Sequence, residues 1–390
     1  MIDYTRALSK CVREIKPSGI RKFFDIAASM DDVISLSIGE PDFVTPWHIR
    51  EAGIASLEQG QTHYTSNAGL IELRESISDY LARRFKLDYA TDELIVTVGG
   101  SEAIDVAMRT LVDPGDEVLI PEPSFVCYDP IARLAGGVPR PIVTTEADEF
   151  RLTPEALRAA ITPKTKVLVL PYPNNPTGAV MRRGDLEAIA EVLRDTDIFV
   201  ISDEIYAELT YGRTPHVSFA AIDGMRERTV LVSGFSKAFS MTGWRLGYTA
   251  APREISKMML KVHQFAIMSS PSTSQFAAIE AMQNGDEDVR LMRHEYNKRR
   301  KLILEGVRAL GFPCFEPFGA FYIFPNITAL GMTSEEFCER LIYEERLAVV
   351  PGNAFGASGE GHVRISYAYS ADALKEALCR LKAFTERHRK

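Results

Sequence analysis

Short, unbroken apolar runs recur through the middle of the chain: ELIVTV at 93–98, EVLIP at 117–121, KVLVLP at 166–171, IFVIS at 198–202 and TVLVS at 229–233. They are rich in Val, Ile and Leu and do not alternate with polar residues, which is the pattern of parallel strands covered on both faces. Between them lie amphipathic stretches such as SEAIDVAMRTLV, where Ile104, Ala107, Met108 and Leu111 share one helical face. Strand and helix in alternation predict an α/β fold with a mostly parallel, doubly wound sheet. No internal repeat is visible.

From about residue 286 the pattern changes. DEDVRLMRHEYNKRRKLILEGVRAL reads as one long amphipathic helix ending at Gly311, followed by GAFYIFP, LAVVPG and GHVRISYA as antiparallel strands and a final helix from about 371. The expected division is a large domain at 48–285 and a smaller α+β domain at 1–47 with 286–390. A ligand would then lie at the carboxyl ends of the large sheet, facing the smaller domain.

The remaining whole-chain properties narrow the function classes. With 390 residues, 46% hydrophobic and 25% charged, the chain can enclose a buried site. Its net charge of −8 argues against a general nucleic-acid or anionic-membrane surface. Five scattered cysteines without CxxC spacing fit reduced thiols, with neither a disulfide framework nor a metal site. No apolar run is long enough to span a bilayer and the N-terminal stretch is charged throughout, so a cytoplasmic location is expected. The basic ending ERHRK is expected to cap the last helix.

Polar chemistry collects where the apolar runs stop. In VTVGGSEA the glycines permit a tight turn and Ser101 reads as a helix N-cap, leaving free N–H groups suited to an anion. In PYPNNPTGAV, Asn175 either shapes a turn or offers its amide to a ligand. Asp203, at the end of VISD, needs a partner, and either a helix N-cap or a ligand would supply one. Lys237 follows TVLVSGFS with Arg245 close behind; such an amine is either solvated or kept nucleophilic by desolvation and a neighbouring cation. In GHVRISYA, Val363, Ile365 and Tyr367 alternate inward, which leaves Arg364 either in solvent or presented as a fork for a carboxylate.

An anion site, an acid, an activated amine and a carboxylate receptor together match what pyridoxal phosphate chemistry requires. From LSIGEPDF through HYTSNAGLIELRE, NNPTGAV, SDEIY and SKAFSMTGWRLGY to VRISYA, nearly the whole chain resembles the class I, fold-type I aminotransferases. The resemblance implies pyridoxal 5'-phosphate held as an imine on Lys237, with Asp203 paired to the ring nitrogen. It implies Asn175 and Tyr206 on the phenolic oxygen and Phe125 stacked on the ring. Gly100, Ser101 and Glu102, with Ser236 and Arg245, would hold the phosphate. Arg364, aided by the backbone of Gly39 and by Asn175, would take the substrate α-carboxylate. Tyr64 would reach the phosphate of a neighbouring subunit, which implies a homodimer with shared sites.

The chain departs from the family pattern at Gly234, where many members carry a phosphate-binding serine three residues before the lysine; a weaker or shifted hydroxyl contact is expected. At Ser101, aspartate-specific members often have a lysine for the distal carboxylate. That absence, with EFRLTPEAL, GAFYIFP and VVPGNAFG, favours aromatic or broad amino-donor specificity with 2-oxoglutarate as acceptor. Aspartate or alanine aminotransferase is the alternative, and a β-lyase on the same scaffold would keep the same residues. An aminotransferase-like regulator would need a DNA-binding extension, and no basic helix-turn-helix precedes the homology. GFSKA misses the final glycine of a nucleophile elbow, and neither GxxxxGK[ST] nor HExxH occurs.

Overall fold

The computed structural model describes residues 2–17, 19–212 and 215–389. A short strand β1 (Ile34–Ser35) precedes the central sheet, which comprises β2 (Leu94–Thr97), β3 (Glu117–Glu122), β4 (Val138–Val143), β5 (Thr165–Leu170), β6 (Phe199–Asp203), β7 (Thr229–Gly234) and β8 (Gly247–Ala250). Its spatial order is β2-β8-β7-β6-β5-β3-β4, parallel throughout except for β8, which runs antiparallel to both neighbours. All five apolar runs are strands, and both faces are covered, as the lack of alternation predicts. Along β7, Val230 and Val232 pack with Ile95, Val167 and Ile201 under the helix Gly99–Leu111, while Leu231 faces Leu94 and Val96 on the opposite side.

Two strands escape the sequence pattern. β4 carries Pro139 and Pro141, which a strand tolerates at the edge, where it lies. β8 is only GYTA, and its glycine is the reason it fits: a Cβ on Gly247 would stand 2.6 Å from the carbonyl carbon of Gly99. Gly247 pairs in register with Gly234, where a Cβ would meet the Gly247 Cα at 2.9 Å. The departure at Gly234 therefore has a steric cause, since a serine there would push β7 and β8 apart.

The last hundred residues follow the expected order with one change. Helix Asp286–Ala309 ends before Gly311, which takes a positive φ of 83°. Three strands, β9 (Tyr322–Ile323), β11 (Val350–Pro351) and β12 (Val363–Ser366), form an antiparallel sheet. LAVVPG, however, is divided: β10 (Leu347–Ala348) leaves that sheet and pairs parallel with β1. The helix Ala371–His388 closes this region, its Arg387 and His388 reaching Glu344 on helix Ser334–Glu345. Lys390 of the basic ending lies outside the described residues. No helix among the described residues is long and apolar enough to cross a membrane.

Candidate active site

Five strand ends open into one cleft of about 320 Å³ between the central sheet and the antiparallel sheet. The helical turn after β2 contributes Gly100 and Ser101, the loop after β3 Phe125 and the helix Tyr128–Leu134 that follows it Tyr128, the loop after β5 Asn175, β6 itself Asp203, and the loop after β7 Ser236 and Lys237. Because β8 runs antiparallel, Arg245 just before it arrives at the same end. Gly39 comes from the N-terminal segment, and Tyr322 and Arg364 come from β9 and β12. This is the carboxyl edge of the sheet, as predicted.

Lys237 is partly buried and its Nζ donates to the Gly39 carbonyl at 2.6 Å. Burial lowers its pKa to about 8, opposed by Glu40 and aided by Arg364 and Arg245. The solvated alternative is excluded. Asp203 is 7% exposed and burial pushes its carboxyl up to about 6, although it accepts from the Tyr128 hydroxyl at 2.8 Å and from the Ile205 N–H at 3.1 Å. Among the described residues no helix starts directly after β6, so Asp203 is not an N-cap. One carboxylate thus sits at the cleft wall with two neutral donors and, among the described residues, no cationic partner.

The two asparagines of PNNP divide the roles that the sequence left open. Asn174 shapes the turn, its Oδ1 accepting from the Thr177 N–H and hydroxyl. Asn175 turns into the cleft, where its Oδ1 accepts from Arg364 at 2.9 Å and its amide N–H groups remain for a ligand. Arg364 is only 2% exposed, which rules out the solvent alternative. It also donates to the Ser37 carbonyl at 2.5 Å and stacks on Tyr322 and Phe355, but its buried Nε has no partner and it makes no salt bridge among the described residues. A guanidinium buried without a counter-anion is costly, and a ligand carboxylate would offset that cost.

At the other end Arg245 is similarly without an acidic partner among the described residues. Its Nη1 donates to the Thr242 carbonyl at 3.0 Å, and a Cβ on Gly99 would lie 2.6 Å from its Nη2. The guanidinium therefore rests against the first turn of Gly99–Leu111, beside that helix's free N–H groups. The helix begins at Gly99, with φ of 78°, and so three residues earlier than an N-cap at Ser101 would place it. Ser101 is inside the first turn. An arginine, a glycine-lined turn and a helix N-terminus form a cradle suited to a phosphate.

Of the other expected residues, Ser236 and Phe125 line the cleft, Phe125 edge-on to Tyr128. Tyr206 lines it too, its hydroxyl 2.8 Å from that of Tyr322. The Glu102 side chain does not reach it, and Tyr64 stands 84% exposed, away from its own chain's cleft. Sequence reasoning overlooked Tyr128, Tyr322, Ile20 and Phe24. The last two lie one turn apart on helix Gly19–Ala28 and close one wall; their i,i+4 spacing was the available signal.

The class I and II aminotransferase family matches residues 31–381. The chain belongs to that family. Members generally work with pyridoxal phosphate. A putative aminotransferase, YugH, of Bacillus subtilis is 55% identical over 97% of this chain and 98% of its own length. An aspartate aminotransferase of Pyrococcus abyssi is 46% identical, over 96% and 97% of the two chains. The structure of an aromatic aminotransferase from Pyrococcus horikoshii superposes with a TM-score of 0.90 at 44% identity, covering 94% of this chain and 99% of that one. This aminotransferase is thus an enzyme acting on amino acids and 2-oxo acids.

Proposed function

We propose that this aminotransferase carries pyridoxal 5'-phosphate on Lys237 and moves the amino group of an aromatic or broadly chosen L-amino acid to a 2-oxo acid such as 2-oxoglutarate. The carrying observation is one cleft with two arginines that lack acidic partners among the described residues, Arg245 and Arg364, a lysine of lowered pKa between them and a buried acid, Asp203. The residues fit the cofactor: the cradle at Gly99–Ser101 with Ser236 and Arg245 suits its phosphate, and Asp203 suits a protonated ring nitrogen. Asn175 and Tyr206 suit its phenolic oxygen, and Phe125 suits its ring face. When bound, the cofactor supplies an electron sink for the negative charge left at the substrate Cα.

The chain's own residues supply the rest. Arg364 and Asn175 grip the α-carboxylate and fix which Cα bond stands next to Lys237. Lys237, with a pKa near 8, gives up its proton readily and so can take one from Cα and return it elsewhere. Asp203 holds positive charge at the far end of the ring.

Specificity follows from the lining. Lys237, Arg245 and Arg364 are its only cations among the described residues, whereas Ile20, Phe24, Ile104, Phe125 and Tyr128 supply apolar surface. A distal carboxylate finds no dedicated partner within one chain. An aspartate or alanine aminotransferase remains the second reading, favoured by the Pyrococcus abyssi relative; an aspartate enzyme would require its extra cation from a second copy. That second copy belongs to the proposal, since the exposed Tyr64 and Phe265 are large apolar surfaces suited to a homodimer interface. The proposed arrangement also includes the large (48–285) and small (1–47 with 286–390) domains and a cytoplasmic location, with no nucleic-acid or membrane partner.

The test is an absorbance spectrum of the purified protein before and after phenylalanine, aspartate or alanine. Faster loss of the cofactor band with phenylalanine supports the aromatic reading, and faster loss with aspartate replaces it with the second. Release of ammonia and pyruvate would indicate a β-lyase. No band after adding pyridoxal phosphate would overturn Lys237 as its carrier.

A further inference from the structure

Glu102 stands in the first turn of Gly99–Leu111, the turn that forms the anion end of the cleft, yet its carboxylate points elsewhere. One oxygen accepts from the Val98 N–H behind the turn, and the other lies 2.6 Å from Nδ1 of His263. His263 belongs to the neighbouring helix Arg253–Ala266, is fully buried, and has no partner at Nε2 among the described residues. Among the described residues its ring therefore makes a single hydrogen bond, to Glu102. An imidazole enclosed this way contributes less through burial than leucine or methionine would, so its polarity serves that one contact.

A helix N-terminus attracts an acidic side chain for the same reason that it attracts a phosphate. Glu102 and a bound phosphate thus compete for one set of donors. Turned toward the cleft, the carboxylate would occupy the N–H groups of Gly100 and Ser101 and repel an incoming dianion. Held behind the turn, it satisfies Val98 and leaves the others free.

We propose that His263 is a positioning residue for phosphate recognition: its Nδ1–H fastens Glu102 against Val98 and keeps that carboxylate out of the anion cradle. The proposal rests on the cofactor reading above. It assigns the fidelity of the cradle to a side chain that touches neither cofactor nor substrate.

The test uses the full chain stripped of cofactor and titrated separately with pyridoxal phosphate and unphosphorylated pyridoxal. His263→Leu is expected to weaken pyridoxal phosphate about tenfold, in line with loss of a hydrogen bond to a charged group, and to leave pyridoxal unchanged. Equal weakening of both would assign His263 to general packing and overturn the proposal. An asparagine amide can stand in for Nδ1–H whereas a glutamine amide extends to the Nε2 position, so H263N should restore the preference and H263Q should not. This pair carries the test if the leucine variant does not fold. In an E102Q background, where the side chain repels no phosphate, H263L should no longer alter the ratio of the two affinities. Failure of the unaltered protein to bind either compound would instead overturn the cofactor reading.

Discussion

Arg245 and Arg364 are guanidinium groups in one cleft, both without an acidic partner among the described residues, and they are built in opposite ways. Arg245 is placed by backbone: a glycine at 99 that leaves room for it, a carbonyl at Thr242, and the β7–β8 glycine pair that lets a helix turn approach the strands. Arg364 is placed by side chains, with Asn175 from the central sheet, Tyr322 and Phe355 around its plane and Ser37 from the N-terminal segment. The proposed cofactor end thus belongs to a single sheet. The carboxylate end joins three parts of the chain and exists only where they meet.

The sharpest way to break this contrast is Arg364→Ala. It removes the buried fork and should lower kcat/KM by about 10²- to 10³-fold, chiefly through KM, because a charge pair of this kind is strong and geometrically specific. Affinity for pyridoxal phosphate should stay within about twofold, the scatter expected between independent sites. Steady-state kinetics and cofactor titration decide it. A matching loss of cofactor affinity would mean that the two ends are not independent.

At the opposite wall the carboxyl of Asp203 supplies a pH signature. Its pKa is raised to about 6 by burial, against the pull of Tyr128 and Ile205, so without a cation the fold loses stability as pH rises from about 4 through about 6. The shift corresponds to about 3 kcal/mol at most. A protonated ring nitrogen would reverse the preference and favour the ionised acid. The increase in Tm on adding pyridoxal phosphate should therefore be larger at pH 7.5 than at pH 5, and Asp203→Asn should flatten that difference. If the asparagine variant keeps the full dependence, the effect belongs to Lys237 or to the phosphate.

The contrast also explains what the sequence made legible. The proposed cofactor end is written in local strings, because a strand, a glycine turn and a helix lie next to one another in the chain; GGSEA, SDEIY and SKAFSMTGWR carry it. Even there the details depend on packing. Ser101 misses the N-cap because Gly99 starts the helix earlier, and a glycine stands at 234 because the Gly247 backbone and the Leu246 carbonyl close in on it. Without the family resemblance, which added Gly39 and Asn175, the proposed carboxylate end was legible only as a single arginine on an alternating strand. Whether Arg364 faced water or a cleft depended on Ser37, Asn175 and Tyr322, separated from it by up to 327 residues. Tyr128 and Tyr322 were missed for the same reason: a buried tyrosine in an apolar string reads as core until the acid or the second hydroxyl opposite it is placed.

Arg245→Gln probes the backbone-built end directly. Loss of a charged donor should weaken pyridoxal phosphate by about 10- to 100-fold, while KM for the amino acid at saturating cofactor stays unchanged. Substrate affinity falling in parallel would show that the cradle also shapes the carboxylate end.

The smallest expected effect lies at the residue that joins the two ends. Tyr322 places its ring 4.5 Å from the Arg364 guanidinium and its hydroxyl 2.8 Å from Tyr206, the expected partner of the cofactor's phenolic oxygen. It also stands where a Cβ on Gly39 would be 2.4 Å from its oxygen, so the backbone of that segment is close-packed against it. Tyr322→Phe keeps the ring and removes one hydrogen bond, which corresponds to a change of roughly 2- to 10-fold. Because the ring under Arg364 is unchanged, KM should hold, and the loss should fall on kcat together with a shift in the absorbance maximum of the loaded enzyme. A rise in KM without a spectral change would place the hydroxyl with the carboxylate end instead, and the boundary between the two halves of the cleft would then run between Tyr206 and Tyr322.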